Sequence, residues 1–190
     1  MQFTRLSIPD VILCKPQIYE DDRGYFYESF RQDKLEKFLG YRIPFCQNNE
    51  SKSNFGILRG LHYQSPPFAQ SKLVRVTKGS VLDVAVDIRK GSPSFGEHVA
   101  VELSSENKYQ LLVPRGFAHG FIVLSQNAVF SYMVDNYYSA QSDRGIAFDD
   151  RNLNIDWKIE PDQIELSEKD RNQPSFEEAF HFDINEKFYE

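Results

Sequence analysis

The segment Val81–Ile88 constrains the fold of this chain more than any other part of its sequence. It places an apolar residue at every even position, Leu82, Val84 and Val86 among them. A period of two matches a β-strand, whose successive side chains point to opposite faces, and does not match the 3.6-residue period of a helix. The odd positions are mixed, since Asp83 stands among apolar residues there. The segment is therefore predicted to be a strand with a largely apolar environment.

Further short strands are expected around it. The turn signal Gly79-Ser80 precedes this strand. The other strands are predicted at 72–78, 97–104, 108–113, 119–125 and 128–138. A helix is expected over 32–39, ended by Gly40, and a second over 175–180. Many short strands between turns predict an all-β sandwich or barrel rather than βαβ units.

Composition narrows the class of protein. With 190 residues, 41% of them hydrophobic, the chain is expected to form one domain over residues 1–190. The net charge of −6 argues against a nucleic-acid partner, and no apolar run approaches the ~20 residues that span a membrane. The two cysteines, Cys14 and Cys46, are expected to be free thiols, which favours a cytoplasmic location.

Polar residues on apolar strand faces are the candidates for function. Glu28, Lys72 and Tyr132 each have apolar neighbours two residues away on the same predicted face. Burying a charge without a partner costs several kcal/mol or more. Such groups are therefore expected to pair with one another or to meet a polar ligand in one interior.

His62 is a candidate general base, because imidazole exchanges protons near neutral pH. In an ideal strand Arg59 and His62 would point to opposite faces. Gly60 lies between them, and glycine within a strand often marks a bulge that could bring both to one face. His119 is a second candidate, although a histidine at a strand start is more often part of the core.

Several kinds of site have no support in the sequence. The four histidines form no His-x-His pair and no His-Glu-x-x-His motif, so no metal site is predicted. The chain also lacks a glycine-rich phosphate loop and a Gly-x-Ser-x-Gly elbow. These absences disfavour ATP chemistry, hydride transfer and serine hydrolysis.

Taken together, the segments resemble the dTDP-4-dehydrorhamnose 3,5-epimerases over residues of about 3 to 176. The matching segments are Asp22–Glu28, Gln47–Asn49, Arg59–Gln64, Lys72–Val76, Asp83–Arg89, Pro114–Phe121 and Leu166–Asp170. The resemblance implies a cupin-type jelly roll, an antiparallel double-sheet β-sandwich or barrel with a few short helices. It also implies a homodimer without metal or other cofactor, whose C-terminal segment, about 160–190, packs back on the barrel.

The resemblance also assigns roles to residues. It implies that His62 abstracts protons from carbons 3 and 5 of a 4-keto sugar, and that Asp170 orients His62. Tyr132 would return a proton on the opposite face, and Lys72 would stabilise the enolate oxygen. The residues implied to contact the dTDP-sugar substrate are Arg23, Phe26, Glu28, Gln47, Asn49, Arg59, His119, Tyr138, Asp143 and Lys169.

These residue types suit the chemistry. A proton next to a ketone is removed only if a base is present and the charge on the carbonyl oxygen is stabilised. Inversion then needs a donor on the other side of the ring. One departure concerns binding, since Asp143 stands where the family usually has Glu and is one methylene shorter.

Three other functions remain compatible with the residues. An epimerase of the same fold could invert carbon 3 alone. A metal-dependent cupin enzyme and a sugar-nucleotide binder without catalysis are the other two. Retention of both an acid and a base argues against the last, because a binder needs neither.

Overall fold

The computed structural model describes residues 1–189, and most of its elements are short β-strands. The strands are β1 (Gln2–Arg5), β2 (Ile12–Lys15), β3 (Ile18–Asp21), β4 (Gly24–Tyr27), β5 (Gln47–Asn54), β6 (Leu58–Gln64), β7 (Lys72–Lys78), β8 (Ser80–Asp87), β9 (Arg89–Lys90), β10 (His98–Ser104), β11 (Gln110–Val113), β12 (Phe117–Val123), β13 (Asn127–Val134), β14 (Asp143–Gly145) and β15 (Phe182–Asp183). The helices are α1 (Gln32–Leu39) and α2 (Glu168–Arg171), with a 3₁₀ turn at Pro161–Gln163.

Two antiparallel sheets carry the fold. One has the strand order β1-β2-β11-β7-β13-β5, and the other has the order β10-β8-β12-β6-β14. From β5 to β8, and again from β11 to β14, each strand lies in the sheet opposite to that of its predecessor. This crossing pattern is that of a jelly roll. The prediction of an all-β, cupin-type double-sheet fold with a few short helices is confirmed.

Strand β8 shows why its sequence alternates. Its odd-numbered Val81 and Ala85 lie in the core between the two sheets. Leu82, Val84 and Val86 lie in a second core on the outer face of the same sheet. Trp157 and Phe182, from the C-terminal part of the chain, cover that face. Both faces of β8 are therefore buried, which accounts for the apolar even positions and for Asp83 being fully buried.

Most predicted elements lie within a few residues of the observed ones. Helix α1 matches its prediction, and Gly40 ends it with φ 84°, a conformation that favours glycine. The predicted strand 128–138 ends earlier, at Val134. The next residue, Asp135, uses its carboxylate to accept hydrogen bonds from outside the sheet.

The predicted helix over 175–180 is wrong. One helical hydrogen bond forms, from the Ala179 amide to the Ser175 carbonyl, and the segment otherwise consists of turns. Phe182 must enter strand β15 to pair with Arg89, so the chain turns away before a second helical turn can form. Within residues 1–189, no helix is both long enough and apolar enough to cross a bilayer.

Candidate active site

A cleft opens between the two sheets at the end where β5, β6, β7, β12 and β13 meet. Its inner part has a volume of about 300 Å³ and its outer part about 430 Å³. The two parts share four lining residues, namely His62, Lys72, Tyr132 and Lys169. His62 projects from the five-stranded sheet, whereas Lys72 and Tyr132 project from the six-stranded sheet. The base and the acid predicted from the sequence therefore face one cavity from opposite walls.

A buried carboxylate orients His62. Its Nε2–H donates to Asp170 Oδ1 at 2.5 Å, which leaves Nδ1 for a ligand in the cleft. Asp170 is 5% exposed and lies on helix α2, which Ser167 caps. Burial opposes ionisation of Asp170, but hydrogen bonds from His62 and Ser167 prevail and lower its pKa. The carboxylate is thus charged and can stabilise an imidazolium formed when His62 takes a proton.

Lys72 carries the positive charge at the centre of the cleft. Its Nζ donates to the His62 carbonyl oxygen at 3.3 Å. Desolvation lowers the pKa of Lys72 to about 8, and the nearby carboxylates of Asp83 and Asp143 partly oppose that shift. The ammonium form still predominates at neutral pH. It can therefore stabilise negative charge on an oxygen bound beside it.

Tyr132 supplies a phenol on the facing wall. It pairs with Asn49 across strands β13 and β5. Burial raises the pKa of the Tyr132 phenol, and a hydrogen bond with the Asn49 side chain offsets part of that rise. The phenol is therefore neutral at physiological pH and holds the proton that an acid must donate. Gln47 lies on the same strand as Asn49 and donates to its side-chain oxygen at 2.8 Å.

A bulge at Gly60 directs Arg59 and His62 into the same cleft. His62 pairs with His119 and Arg59 pairs with Phe121, so three steps along β6 face two along β12. Gly60 has φ 142°, and a Cβ there would lie 2.5 Å from the Gly120 Cα. Only glycine fits this position without strain. The expectation that Gly60 relieves the parity conflict agrees with the structure.

His119 is a buried histidine held by a partner that the sequence analysis did not assign to the site. Its Nε2 lies 2.9 Å from Asp83 Oδ2, and Asp83 is fully buried. Burial lowers the pKa of His119, although the Asp83 charge opposes this. His119 is therefore neutral at physiological pH. The signal for Asp83 was present, because it is the one carboxylate between Val81 and Ala85 on an inward face.

Three predicted binding residues form a cluster at the outer mouth of the cleft. Tyr138 donates its hydroxyl proton to Asp143 Oδ2 at 3.0 Å, and the Lys169 ammonium donates to the same oxygen. The shorter Asp143 side chain thus reaches both partners. Tyr138 is 60% exposed, which leaves its ring free to stack on a planar group. Lining residues that the sequence analysis also missed include Glu50, Ser51, Phe121 and Ser167.

Arg23, Phe26 and Glu28 are not among the described residues that line this cleft. They lie on or just after the β3–β4 hairpin, where Phe26 is 67% exposed and Arg23 pairs with Asp21. The expectation that Glu28 enters the same interior as Lys72 and Tyr132 is wrong. Strand β4 ends at Tyr27, and hydrogen bonds from Lys34 and Arg31 hold Glu28 at the surface and lower its pKa to about 2. Parity failed because the hairpin belongs to neither main sheet.

Residues 1–189 contain no group of three or more His, Cys, Asp or Glu side chains placed to hold a metal ion. The site contains paired acid and base groups instead. Its arrangement suits proton transfer to and from a polar ligand with a developing negative charge.

Comparisons with known proteins agree with this chemistry. The family model described as dTDP-4-dehydrorhamnose 3,5-epimerase matches residues 5–178. The dTDP-4-dehydrorhamnose 3,5-epimerase of Shigella flexneri is 50% identical over 182 residues, which cover 96% of this chain and 99% of that protein. The crystal structure of the Legionella pneumophila 3,5-epimerase with dTDP-4-keto-L-rhamnose has a TM-score of 0.90 and 47% identity, over 93% of each chain.

A crystal structure of the dTDP-4-dehydrorhamnose 3,5-epimerase from Elizabethkingia anophelis also has a TM-score of 0.90, with 49% identity over 93% of this chain and 97% of that one. These relatives fit a double epimerase and not the carbon-3-only or metal-dependent alternatives. The match extends over nearly the whole chain, and so this protein belongs to the dTDP-4-dehydrorhamnose 3,5-epimerase family of isomerases.

Proposed function

We propose that this protein inverts carbons 3 and 5 of dTDP-4-dehydro-6-deoxy-D-glucose and so forms dTDP-4-dehydro-L-rhamnose for dTDP-L-rhamnose biosynthesis. The observation that carries the proposal is the meeting of His62, Lys72 and Tyr132 in one cleft, with the base and the acid on opposite walls. The family relationship gives the substrate class.

The proposed reaction is a pair of proton transfers at each carbon. The neutral His62 imidazole takes the proton next to the ketone, and the electron pair moves onto the carbonyl oxygen as an enolate. The Lys72 ammonium stabilises that oxygen, which is often the largest single contribution to such catalysis. Tyr132 then donates its phenolic proton to the opposite face of the carbon. Solvent reprotonates Tyr132 and accepts the proton from His62 before the second carbon reacts.

The Asp170 carboxylate supports the first transfer. Because it is charged and hydrogen-bonded to His62, it favours the imidazolium that the transfer creates. No cofactor is required by this sequence of steps, since the protons and electrons balance within the substrate, the side chains and water.

Cations at the cleft would bind the diphosphate. Arg59 lines the inner part, where its Nε donates to Ser53 Oγ at 3.1 Å and its terminal nitrogens remain for phosphate oxygens. Guanidinium groups suit phosphate because they donate two parallel hydrogen bonds. Lys169 lies at the mouth, and Tyr138 would stack on the thymine. Gln47, Asn49 and His119 would contact the sugar from the cleft walls.

A homodimer would explain the position of the β3–β4 hairpin. Its aromatic side chains Tyr19, Tyr25 and Phe26 are about 60% exposed or more. Exposed aromatic clusters of this kind mark interaction surfaces. If the hairpin of one subunit reaches the cleft of the other, Arg23, Phe26 and Glu28 would contact the substrate there.

We further propose that residues 1–190 act as one domain in the cytoplasm.

Deuterium exchange tests the reaction. The dTDP-4-keto-6-deoxy sugar is incubated with the protein in deuterated water, and the product is analysed by mass spectrometry and NMR. Two deuterons, at carbons 3 and 5, are expected. One deuteron at carbon 3 alone would refute inversion at carbon 5.

Metal analysis of the purified protein, with a chelator control on its activity, tests the expected absence of a metal.

The His62→Ala variant tests the base. It should retain dTDP binding, because the diphosphate contacts lie elsewhere, and it should lose proton exchange at both carbons. Ser105→Ala, at a half-buried position outside the cleft lining, serves as the control. Unchanged turnover by His62→Ala would remove His62 from the mechanism.

A further inference from the structure

Residues 179–189 pack against the jelly roll and contact the residues next to His62 and Lys72 in the sequence. We define residues 179–189 as the C-terminal tail; the family match ends at residue 178, before it begins. Phe182 is 1% exposed and pairs with Arg89 in a parallel β15–β9 pair. The Ile184 amide donates to the Lys90 carbonyl oxygen at 3.0 Å. The tail is therefore an ordered part of the fold.

The first contact is next to the base. The Tyr63 hydroxyl donates to the Phe180 carbonyl oxygen at 2.7 Å. Tyr63 is 4% exposed and directly follows His62 in strand β6. The start of the tail thus fixes the strand that carries the imidazole.

The second contact is next to the ammonium. The Tyr189 hydroxyl accepts from the Arg115 amide at 2.9 Å, so its own proton is available to Ser71 Oγ, 2.7 Å away. Ser71 is fully buried and directly precedes Lys72. Burial raises the pKa of the Tyr189 phenol, which keeps it a donor across physiological pH. The end of the tail thus fixes the start of strand β7.

A buried ion pair completes the second contact. Asp135 Oδ1 accepts from the Ser71 amide at 2.6 Å, and Asp135 Oδ2 accepts from Arg115 Nε at 3.1 Å. Arg115 also donates to the Phe188 carbonyl oxygen at 2.8 Å. The tail, the ion pair and Ser71 form one hydrogen-bonded network. Among the described residues, no buried side-chain nitrogen or oxygen of this network lacks a hydrogen-bond partner, as a network that holds one geometry requires.

We propose that the C-terminal tail is a brace that sets the position of the Lys72 ammonium relative to the His62 imidazole, with the Tyr189 hydroxyl as its positioning group. The two braced strands meet where Lys72 Nζ donates to the His62 carbonyl oxygen at 3.3 Å. The inference rests on the proposed roles of Lys72 and His62. Tyr189 is a positioning residue, since it contacts Ser71 and not the cleft.

A displaced Lys72 would be better hydrated, and its alkaline titration would then move to higher pH. The charged and titratable groups that face Lys72 come from other elements and are not altered by a change in the tail. They are Glu50 on β5, Arg59 and His62 on β6, Asp83 on β8, His119 on β12, Tyr132 on β13, Asp143 on β14, and Lys169 and Asp170 on α2. A shift in that titration therefore reports on the position of Lys72 and is not expected from a loss of stability alone.

The experiment compares Tyr189→Phe with Tyr41→Phe in the full chain. The two rings stack with their centroids 4.5 Å apart, so both variants keep the stack. Only Tyr189→Phe loses the hydrogen bonds to Ser71 and from the Arg115 amide. We expect Tyr189→Phe to lower kcat by about tenfold, since small misplacements of reacting groups are costly. The Kd of Tyr189→Phe for dTDP should stay within about twofold of wild type. The alkaline limb of its pH–activity profile should move to higher pH. Tyr41→Phe should match wild type in kcat and in pH profile.

Ser71→Ala removes the same hydrogen bond from the other side and serves as the second variant. The double variant Ser71→Ala with Tyr189→Phe should be no slower than the slower single variant. Equal kcat values for Tyr189→Phe and Tyr41→Phe, or independent effects that multiply in the double variant, would overturn the brace. Absence of turnover in wild-type protein would instead overturn the proposed function.

Discussion

The pH dependence of the reaction provides the sharpest test of the role of Lys72. Desolvation lowers the pKa of Lys72 to about 8, and the proposed mechanism needs its ammonium form. The ratio of ammonium to amine is then roughly 10:1 at pH 7 and about 1:10 at pH 9. Activity that depends on the ammonium should fall about tenfold over this interval.

The variant Lys72→Arg tests whether Lys72 is the group whose titration lowers the activity in the alkaline limb of the pH profile. A guanidinium stays charged up to a pH of about 12, so the alkaline limb should disappear even though the larger head group lowers the overall rate. The assay is kcat/KM for proton exchange in deuterated buffers between pH 6 and 10, with circular dichroism at each pH to show that the protein remains folded. Tyr132 cannot mimic this limb at pH 8, because burial raises the pKa of its phenol above the usual value.

Two results would refute the reasoning. One is a wild-type profile that stays flat up to pH 10. The other is an alkaline limb that persists unchanged in Lys72→Arg, which would show that another group titrates.

Three further predictions concern the same cleft. Lys72→Met should abolish exchange. It should also raise the free energy of unfolding at pH 7 by about 1–3 kcal/mol, because a fall in the lysine pKa from 10.5 to about 8 destabilises the folded protein by at most roughly 3.4 kcal/mol. Chemical denaturation measures the change, and a loss of stability would contradict the prediction. Asp170→Asn should lower kcat by on the order of 10²–10³-fold while dTDP still binds, since the His62 imidazolium loses its charged partner. Calorimetry measures the binding of dTDP, and exchange kinetics measure kcat. Full activity would exclude a catalytic role for the pairing of Asp170 with His62. Gly60→Ala should destabilise the protein by about 2–4 kcal/mol, because the alanine Cβ would lie 2.5 Å from the Gly120 Cα. A midpoint of denaturation equal to that of wild type would show that the bulge tolerates a side chain.

The alternation of side chains along the sequence predicted most strands, because burial of a strand face selects apolar residues at every second position. In β8 the period of two is imposed by burial on both faces, so the sequence carries the element directly. Helix α1 likewise carries its own end signal in Gly40. The segment 175–180 shows the limit, since its residues favour a helix locally but the pairing of Phe182 with Arg89 diverts the chain.

Site residues were predictable where an unusual residue type stood on an apolar face. Lys72 and Tyr132 were found in this way, and both line the cleft. The same parity argument failed for Glu28, because parity describes a strand but not which sheet, if any, the strand joins. The resemblance to a family supplied roles and distant members of the site that no local pattern could give.

By itself, the sequence determined the alternation that makes this chain an all-β protein, the residue types able to move a proton, and the glycine that permits a bulge. Only the tertiary structure decided which of them meet. Asp170 lies 108 residues after His62 and reaches it because the second core holds the C-terminal part of the chain against the outer face of the five-stranded sheet. Packing also removes water from Lys72 and so lowers its pKa. Desolvation depends on which groups are neighbours in space, and the order of residues along the chain does not specify those neighbours.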